Sequence, residues 1–157
     1  MKLKVYIETS VVSYLVARPN RDIIVAAHQQ ITNEWWRNKR SQFENYASQL
    51  VVNEASSGEV EMAQKRLEAL ADIKLLETTE EAVELANDFI SKGPLSEKAT
   101  EDALHIAIAF VNGLDYLITW NCKHIANARM RHKIEQLCRA RGYEPALICT
   151  PEELLED

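Results

Sequence analysis

The stretch "VYIETS" at residues 5–10 is a short apolar run that ends at a carboxylate and two hydroxyls. Its β-branched and aromatic residues predict a short buried strand. Glu8 ends this strand, and Thr9 or Ser10 can cap a helix that begins at Val11. The stretch therefore indicates a strand that leads directly into a helix, with an acid at the junction.

The rest of the chain repeats this alternation of strands and helices. Further strands are predicted at 50–52, 73–76, 116–119 and 146–149. Helical patterns cover 22–40, 59–71, 80–90, 99–111 and 124–141. Strands that are separated by helices indicate an α/β fold, in which a parallel sheet is covered by helices on both faces.

The length and composition predict one globular domain. The chain has 157 residues with 46% apolar content, which is enough for one substantial core, so we expect a single domain over 1–157. We expect no export signal and no membrane helix, because the most apolar segment, 103–111, is far shorter than the roughly 20 residues that span a bilayer. The three cysteines form no CxxC pair, which favours reduced thiols and a cytoplasmic location. Cys122 and His124 alone make a weak zinc site, and structural roles are favoured for both.

The net charge disfavours a protein that coats nucleic acid and leaves an enzyme acting on nucleic acid open. Lys and Arg number 18 against 24 Asp and Glu, for a formal charge of -6. This balance disfavours a protein that coats nucleic acid through bulk positive charge, but it does not exclude an enzyme that acts on nucleic acid. A late segment does cluster basic residues, although a solvated helix face explains any one of them equally well.

Four polar residues are predicted to lie at one edge of the sheet. In open parallel sheets the ligand crevice lies beyond the carboxyl ends of the strands. Glu8 ends the first predicted strand, Glu54 follows the second, and Asn121 comes just after the fourth. Asp102 lies near the start of a helix that runs antiparallel to the next strand, so it is expected at the same edge. These residues should therefore converge in the folded chain.

Converging carboxylates indicate a cation site. Two negative charges about 4 Å apart repel by around 4 kcal/mol at an effective dielectric constant near 20. A divalent cation such as Mg²⁺ or Mn²⁺ removes this repulsion, and it is usually held by one or two carboxylates together with substrate phosphate. The pattern therefore favours an acidic pocket that receives a phosphate ester. The alternative is that these acids serve helix dipoles and solubility, as acids at such positions often do.

The spaced set "VYIETSVVSYL", "VVNEASSGE", "ATEDALHIAIA" and "DYLITWNCKHIAN" resembles the PIN-domain family, and within it the VapC-like toxin ribonucleases of toxin–antitoxin pairs. The resemblance extends from the first strand to the last. It implies a three-layer α/β/α sandwich with strand order 3-2-1-4-5. It also implies Mg²⁺- or Mn²⁺-dependent hydrolysis of RNA phosphodiester bonds, an antitoxin partner and a homodimer.

The resemblance assigns roles to the four edge residues. Glu8 matches the family's usual first aspartate, Glu54 its glutamate, Asp102 its central aspartate and Asn121 its fourth acid. We hypothesise that Asp102 and Glu54 are the principal metal ligands and that Glu8 binds directly or through water. Asn121 would orient water or phosphate. Glu8 is one methylene longer than aspartate, and Asn121 brings no charge, so one-metal chemistry is the simpler hypothesis.

Residues beside these four have functional and structural interpretations. Thr9 and Ser10 match the hydroxyl positions after the first acid. His105 is interpreted as a proton relay or second-layer partner of Asp102, although a hydrogen-bonded core histidine is favoured. Trp120 is suited equally to stacking on an RNA base and to packing over the sheet edge. The candidate RNA contacts are Trp120, Lys123, Arg129 and Arg131.

Two other functions stay open. A PIN-like scaffold that has lost catalysis is suggested by the departures at Glu8 and Asn121. An α/β phosphatase or nucleotide-binding protein would use the same sheet edge, but the chain lacks a Gly-rich phosphate loop.

Overall fold

The computed structural model describes residues 1–156, in which five strands form one parallel sheet. The strands are β1 (Lys4–Ile7), β2 (Glu44–Ser48), β3 (Lys74–Leu76), β4 (Tyr116–Ile118) and β5 (Leu147–Cys149). Their order is β3-β2-β1-β4-β5, and every pairing is parallel. The predicted α/β class and strand order 3-2-1-4-5 are confirmed.

Seven α-helices flank the sheet in this part of the chain. They are α1 (Thr9–Val16), α2 (Ile23–Asn38), α3 (Gln49–Ala55), α4 (Val60–Leu70), α5 (Glu80–Ser91), α6 (Thr100–Val111) and α7 (Ala128–Ala140). Short 3-10 helices lie at Arg40–Gln42, Glu97–Ala99 and Pro151–Leu154. Among the helices of residues 1–156, none combines the length and the apolar character that crossing a bilayer requires.

The second strand differs from the prediction. The apolar run 50–52 is helical, and β2 is the more polar segment Glu44–Ser48 before it. Helix α3 begins at Gln49 because the Ser48 hydroxyl accepts a hydrogen bond from the Val51 amide at 3.3 Å, which caps the first turn. Glu54 consequently projects from α3 and does not directly follow a strand.

Two helix starts also differ from the prediction. Thr9 is the first residue of α1, so neither hydroxyl is its cap; Glu8 holds that position, and its side chain makes no capping hydrogen bond. The Glu8 carboxylate is thereby left for other contacts. Helix α7 begins at Ala128 and not at 124, because the Asn127 side chain accepts a hydrogen bond from the Arg129 amide at 3.0 Å. Asn121 and the residues up to Asn127 therefore form a loop after β4.

The core lies between the sheet and its covering helices. Val5, Tyr6 and Ile7 of β1 are fully buried, as expected for a central strand with helices on both faces. Helix α6 buries nearly its whole circumference between 103 and 110, which agrees with its apolar sequence. Because α6 is fixed so firmly, the residues of its first turn have defined positions at the sheet edge.

An ion pair between α5 and the end of α7 should give a pH-dependent contribution to stability. The largely buried Asp88 carboxylate accepts hydrogen bonds from Arg141 through Nε and, at 3.1 Å, through Nη2. The hydrogen bond from the Arg141 guanidinium lowers the pKa of Asp88, despite an opposing effect of burial. A lowered carboxyl pKa stabilises the fold above the unfolded value of about 3.9, and this stabilisation is lost as the pH falls through the lowered pKa.

Asp88→Asn should therefore lower the free energy of unfolding at pH 7 by about 1–2 kcal/mol. The difference from the unmodified chain should shrink as the pH falls below about 4. Urea unfolding of the variant and of the unmodified chain, at pH 7 and below about pH 4, measures this difference. Asp72→Asn is the control, because Asp72 is exposed and lies 3.7 Å from Arg40. An equal effect of both substitutions, or a pH-independent effect of Asp88→Asn, would contradict the prediction.

Candidate metal centre

Glu8 is held at the carboxyl end of β1 by two hydroxyl groups. Its Oε1 accepts a hydrogen bond from Thr119 Oγ1 at 2.6 Å and another from Ser10 Oγ. Both hydroxyls are held in turn by backbone amides. The Asn121 N–H donates to the Thr119 hydroxyl at 2.9 Å, and the Trp120 N–H donates to the Ser10 hydroxyl at 2.8 Å. The residue is only 6% exposed and lines a cavity, and within residues 1–156 its Oε2 has no hydrogen-bond partner.

Glu54 reaches the same cavity from α3. Its Oε1 accepts hydrogen bonds from Thr9 Oγ1 and, at 2.7 Å, from His105 Nε2. Burial by itself would raise the pKa of Glu54, but the hydrogen bonds that it accepts from His105 and Thr9 lower it to about 2. Glu54 is therefore an anion at neutral pH.

Glu54 is connected to a buried chain of hydrogen bonds through His105. His105 Nδ1 lies 2.7 Å from the Tyr6 hydroxyl, which lies 2.8 Å from Ser48 Oγ. The Glu54 carboxylate can only accept, so His105 donates through Nε2 and accepts through Nδ1. Tyr6 then donates to His105, because burial raises the pKa of Tyr6 and keeps its hydroxyl protonated. His105 is fully buried, so it is a hydrogen-bonded core histidine that also orients Glu54.

The structure brings Glu8 and Glu54 together. Single ligand atoms of Glu8, Glu54 and His105 all lie within 4.8 Å of one another. The cavity in front of the two carboxylates has a volume of about 660 Å³, and Thr9, Ser10 and Glu101 also line it. Two acidic side chains and an open cavity give the oxygen donors and the space that a hydrated divalent cation needs.

Asp102 lies in a second polar group beside this one. It occupies the first turn of α6, as predicted, but it is not a member of the compact group formed by Glu8, Glu54 and His105. Its Oδ1 accepts a hydrogen bond from Asn121 Nδ2 at 3.1 Å, and its Oδ2 lies 3.0 Å from His124 Nδ1. Asn121 also connects this group to Glu8, because its backbone N–H donates to the Thr119 hydroxyl, which in turn donates to Glu8.

Sequence reasoning missed two residues of these groups. The sequence suggests His124 only as part of a weak zinc site with Cys122. In the structure its ring contacts Asp102, and its backbone N–H donates to Asn121 Oδ1 at 3.1 Å. Glu101 was not singled out, yet its carboxyl hydrogen-bonds Glu54, and this contact with the Glu54 charge raises the pKa of Glu101. Its spacing from His105 was the available signal, because residues four apart share a helix face.

Trp120 is mainly a packing residue in this structure. It is 9% exposed, its indole nitrogen donates to Thr32 Oγ1 at 2.7 Å, and its ring stacks on His28 at a centroid distance of 4.0 Å. This environment agrees with its interpretation as a residue that packs over the sheet edge. Lys123 and Arg129 are exposed on the loop and at the start of α7, and Arg131 is partly buried. Contacts of these four residues with RNA stay predictions.

The strand order and the helices define a VapC-like PIN-domain fold, as two solved structures show. Mycobacterium tuberculosis VapC20, described as a Sarcin-Ricin loop cleaving toxin, matches with a TM-score of 0.56 and 14% identity, over 88% of this chain and 95% of its own. VapBC2 from Rickettsia felis, bound to a DNA fragment from its promoter, matches with a TM-score of 0.50 and 17% identity, over 77% and 90%. The sequence matches no protein-family model and no curated protein.

Proposed function

We propose that this protein is a Mg²⁺- or Mn²⁺-dependent endoribonuclease that hydrolyses RNA phosphodiester bonds. The observation that carries the proposal is the convergence of two acids on one cavity. Glu8, which is 6% exposed, and the ionised Glu54 both line it, and single ligand atoms of Glu8, Glu54 and His105 lie within 4.8 Å of one another. Carboxylates this close repel each other unless a cation lies between them. The shared fold with VapC20, a Sarcin-Ricin loop cleaving toxin, favours a nuclease over other uses of such a cation.

The residues present fit a hard divalent cation. Glu8 and Glu54 would hold it in the cavity, and Asp102 would complete the protein ligands. The sequence suggests that Asn121 orients water or phosphate, but its side chain holds Asp102 in place instead, since its nitrogen donates to Asp102 and its oxygen accepts from the His124 amide. When bound, such a cation neutralises charge on the phosphate and lowers the pKa of a coordinated water. Thr9 and Ser10 keep the two glutamates in place through their hydroxyl hydrogen bonds. The mostly oxygen ligand set favours Mg²⁺ or Mn²⁺ over softer metals.

The partners follow from the same proposal. RNA would approach the cavity past the loop after β4 and the start of α7, where Lys123, Arg129 and Arg131 supply positive charge to a chain that is acidic as a whole. The toxin–antitoxin complex among the similar structures supports an antitoxin that restrains this enzyme. We further propose that the protein acts in the cytoplasm as a homodimer.

A cleavage assay with defined cations tests the proposal. The purified chain is incubated with a structured RNA in Mg²⁺, in Mn²⁺ and in EDTA, and with a small phosphomonoester in the same three buffers. We expect RNA fragments only with a cation, and no phosphomonoester hydrolysis. Cleavage of the phosphomonoester alone would favour the phosphatase alternative. Cation binding measured by calorimetry, with no cleavage of RNA, would favour the scaffold alternative.

A further inference from the structure

We infer that Glu101 supplies a further carboxylate to the cation site, in addition to the residues named above. The inference rests on the proposed cation-dependent function. It concerns Glu101 of α6, to which the family resemblance assigns no role. Its basis is the geometry of the first turn of α6 and the cavity in front of it.

The first turn of α6 directs its two acids to different places. Glu101 and His105 are four residues apart and share one face of the helix, and both contact Glu54. Asp102 is the next residue around the helix, and it faces Asn121 and His124. Glu101 is therefore the acid of this turn that lines the same cavity as Glu8 and Glu54.

Asn121 does not supply the additional charge. Its side-chain nitrogen donates to Asp102 at 3.1 Å, and its side-chain oxygen accepts from the His124 amide at 3.1 Å. Both ends of the amide are thus occupied by protein groups, and the amide is uncharged. Asn121 acts in this structure as a clamp for Asp102. The third carboxylate that lines the cavity is Glu101.

The contact between Glu101 and Glu54 indicates a cation position. Both carboxyl groups line the same cavity, and no Lys or Arg of residues 1–156 is among its lining residues. A divalent cation between the two would bind an oxygen of each and offset their repulsion. The independent observation is Glu8, which is more than nine-tenths buried, lines this cavity and has an oxygen, Oε2, without a hydrogen-bond partner in residues 1–156.

Glu101→Gln provides a specific test, because glutamine has nearly the same shape as glutamate and can donate a hydrogen bond to Glu54, but it cannot supply a carboxylate to the cation. Mn²⁺ binding to the full chain is measured by isothermal titration calorimetry. We expect Glu101→Gln to weaken Mn²⁺ binding by about ten- to a hundredfold. The matched control is Glu97→Gln, which removes one exposed acid from the 3-10 helix just before α6 and should change affinity by less than about threefold.

Thermal unfolding gives a second readout that does not depend on activity. In EDTA, Glu101→Gln should be at least as stable as the unmodified chain, because the glutamine amide can donate to the Glu54 carboxylate and does not repel its charge. In excess Mn²⁺ the Tm of the unmodified chain should rise more than that of the variant, since a ligand stabilises the fold in proportion to its affinity. Equal Mn²⁺ affinity of the unmodified chain and Glu101→Gln would overturn the inference and leave the proposed function standing. Failure of the unmodified chain to bind Mn²⁺ would overturn both.

Discussion

Glu54→Gln is expected to reduce RNA cleavage by at least about a hundredfold. The Glu54 carboxylate is ionised at neutral pH, with a pKa of about 2, and it faces the cavity beside Glu8. Glutamine has nearly the same shape but no charge, so it cannot offset the charge of a divalent cation. His105 and Thr9 both donate to Oε1 of Glu54, and the oxygen of glutamine can accept both hydrogen bonds, so the main loss is the negative charge.

The measurement is the initial rate of cleavage of a labelled RNA at saturating Mn²⁺, with circular dichroism to verify the fold. Glu68→Gln is the matched control, because Glu68 is an exposed acid on α4 whose side chain contacts Gln64 at 3.4 Å. Its rate should stay within about twofold of the unmodified chain, as expected for a distant surface charge. A Glu54→Gln variant that is folded and fully active would refute the assignment of Glu54 as a cation ligand.

His105→Phe is expected to lower the free energy of unfolding by about 2–4 kcal/mol. Phenylalanine keeps an aromatic ring at this position but has no side-chain donor or acceptor, so both hydrogen bonds of the imidazole are lost. Glu54 loses a donor at 2.7 Å, and the Tyr6 hydroxyl loses its acceptor at 2.7 Å. The Tyr6 hydroxyl is fully buried, so water cannot replace its missing acceptor, and the Glu54 carboxylate, although it borders the cavity, loses the donor that orients it.

Urea unfolding at neutral pH measures this effect. Tyr6→Phe is the matched comparison, since it removes one hydroxyl from the same chain and leaves the contact between His105 and Glu54 intact. It should cost about 1 kcal/mol, well below the cost of His105→Phe. If the two variants were equally stable, the contact between His105 and Glu54 would contribute nothing measurable, and the orienting role of His105 would be wrong.

The sequence predicts the architecture well, because the fold depends on short-range patterns. Short runs with apolar residues mark β1, β3, β4 and β5. The second strand was misassigned because Glu44 and Asn45 give β2 a polar start, while 50–52 is an apolar run inside a helix. A three-residue apolar run has the same appearance in a strand and in a buried helix turn, and only the Ser48 cap distinguishes them here.

The candidate site is predicted less completely, because its contacts depend on long-range geometry. Glu8 and Glu54 converge as expected, since both lie at the carboxyl edge of the sheet. The pairing of Asp102 with His124 spans 22 residues and depends on the loop after β4, whose course no local pattern determines. The role of Glu101 requires knowing that His105 contacts Glu54, and only the folded chain reveals that contact.

The two hydroxyl groups that bind Glu8 reduce the entropy cost that its longer side chain would bring to ligand binding. A glutamate has one more rotatable bond than an aspartate, and freezing that bond when a ligand arrives would weaken binding. Here Ser10 and Thr119 already hold one carboxylate oxygen, so the side-chain entropy of Glu8 is lost when the chain folds. The longer side chain thus meets an incoming ligand as a preorganised group, and its extra methylene adds no ordering cost to binding.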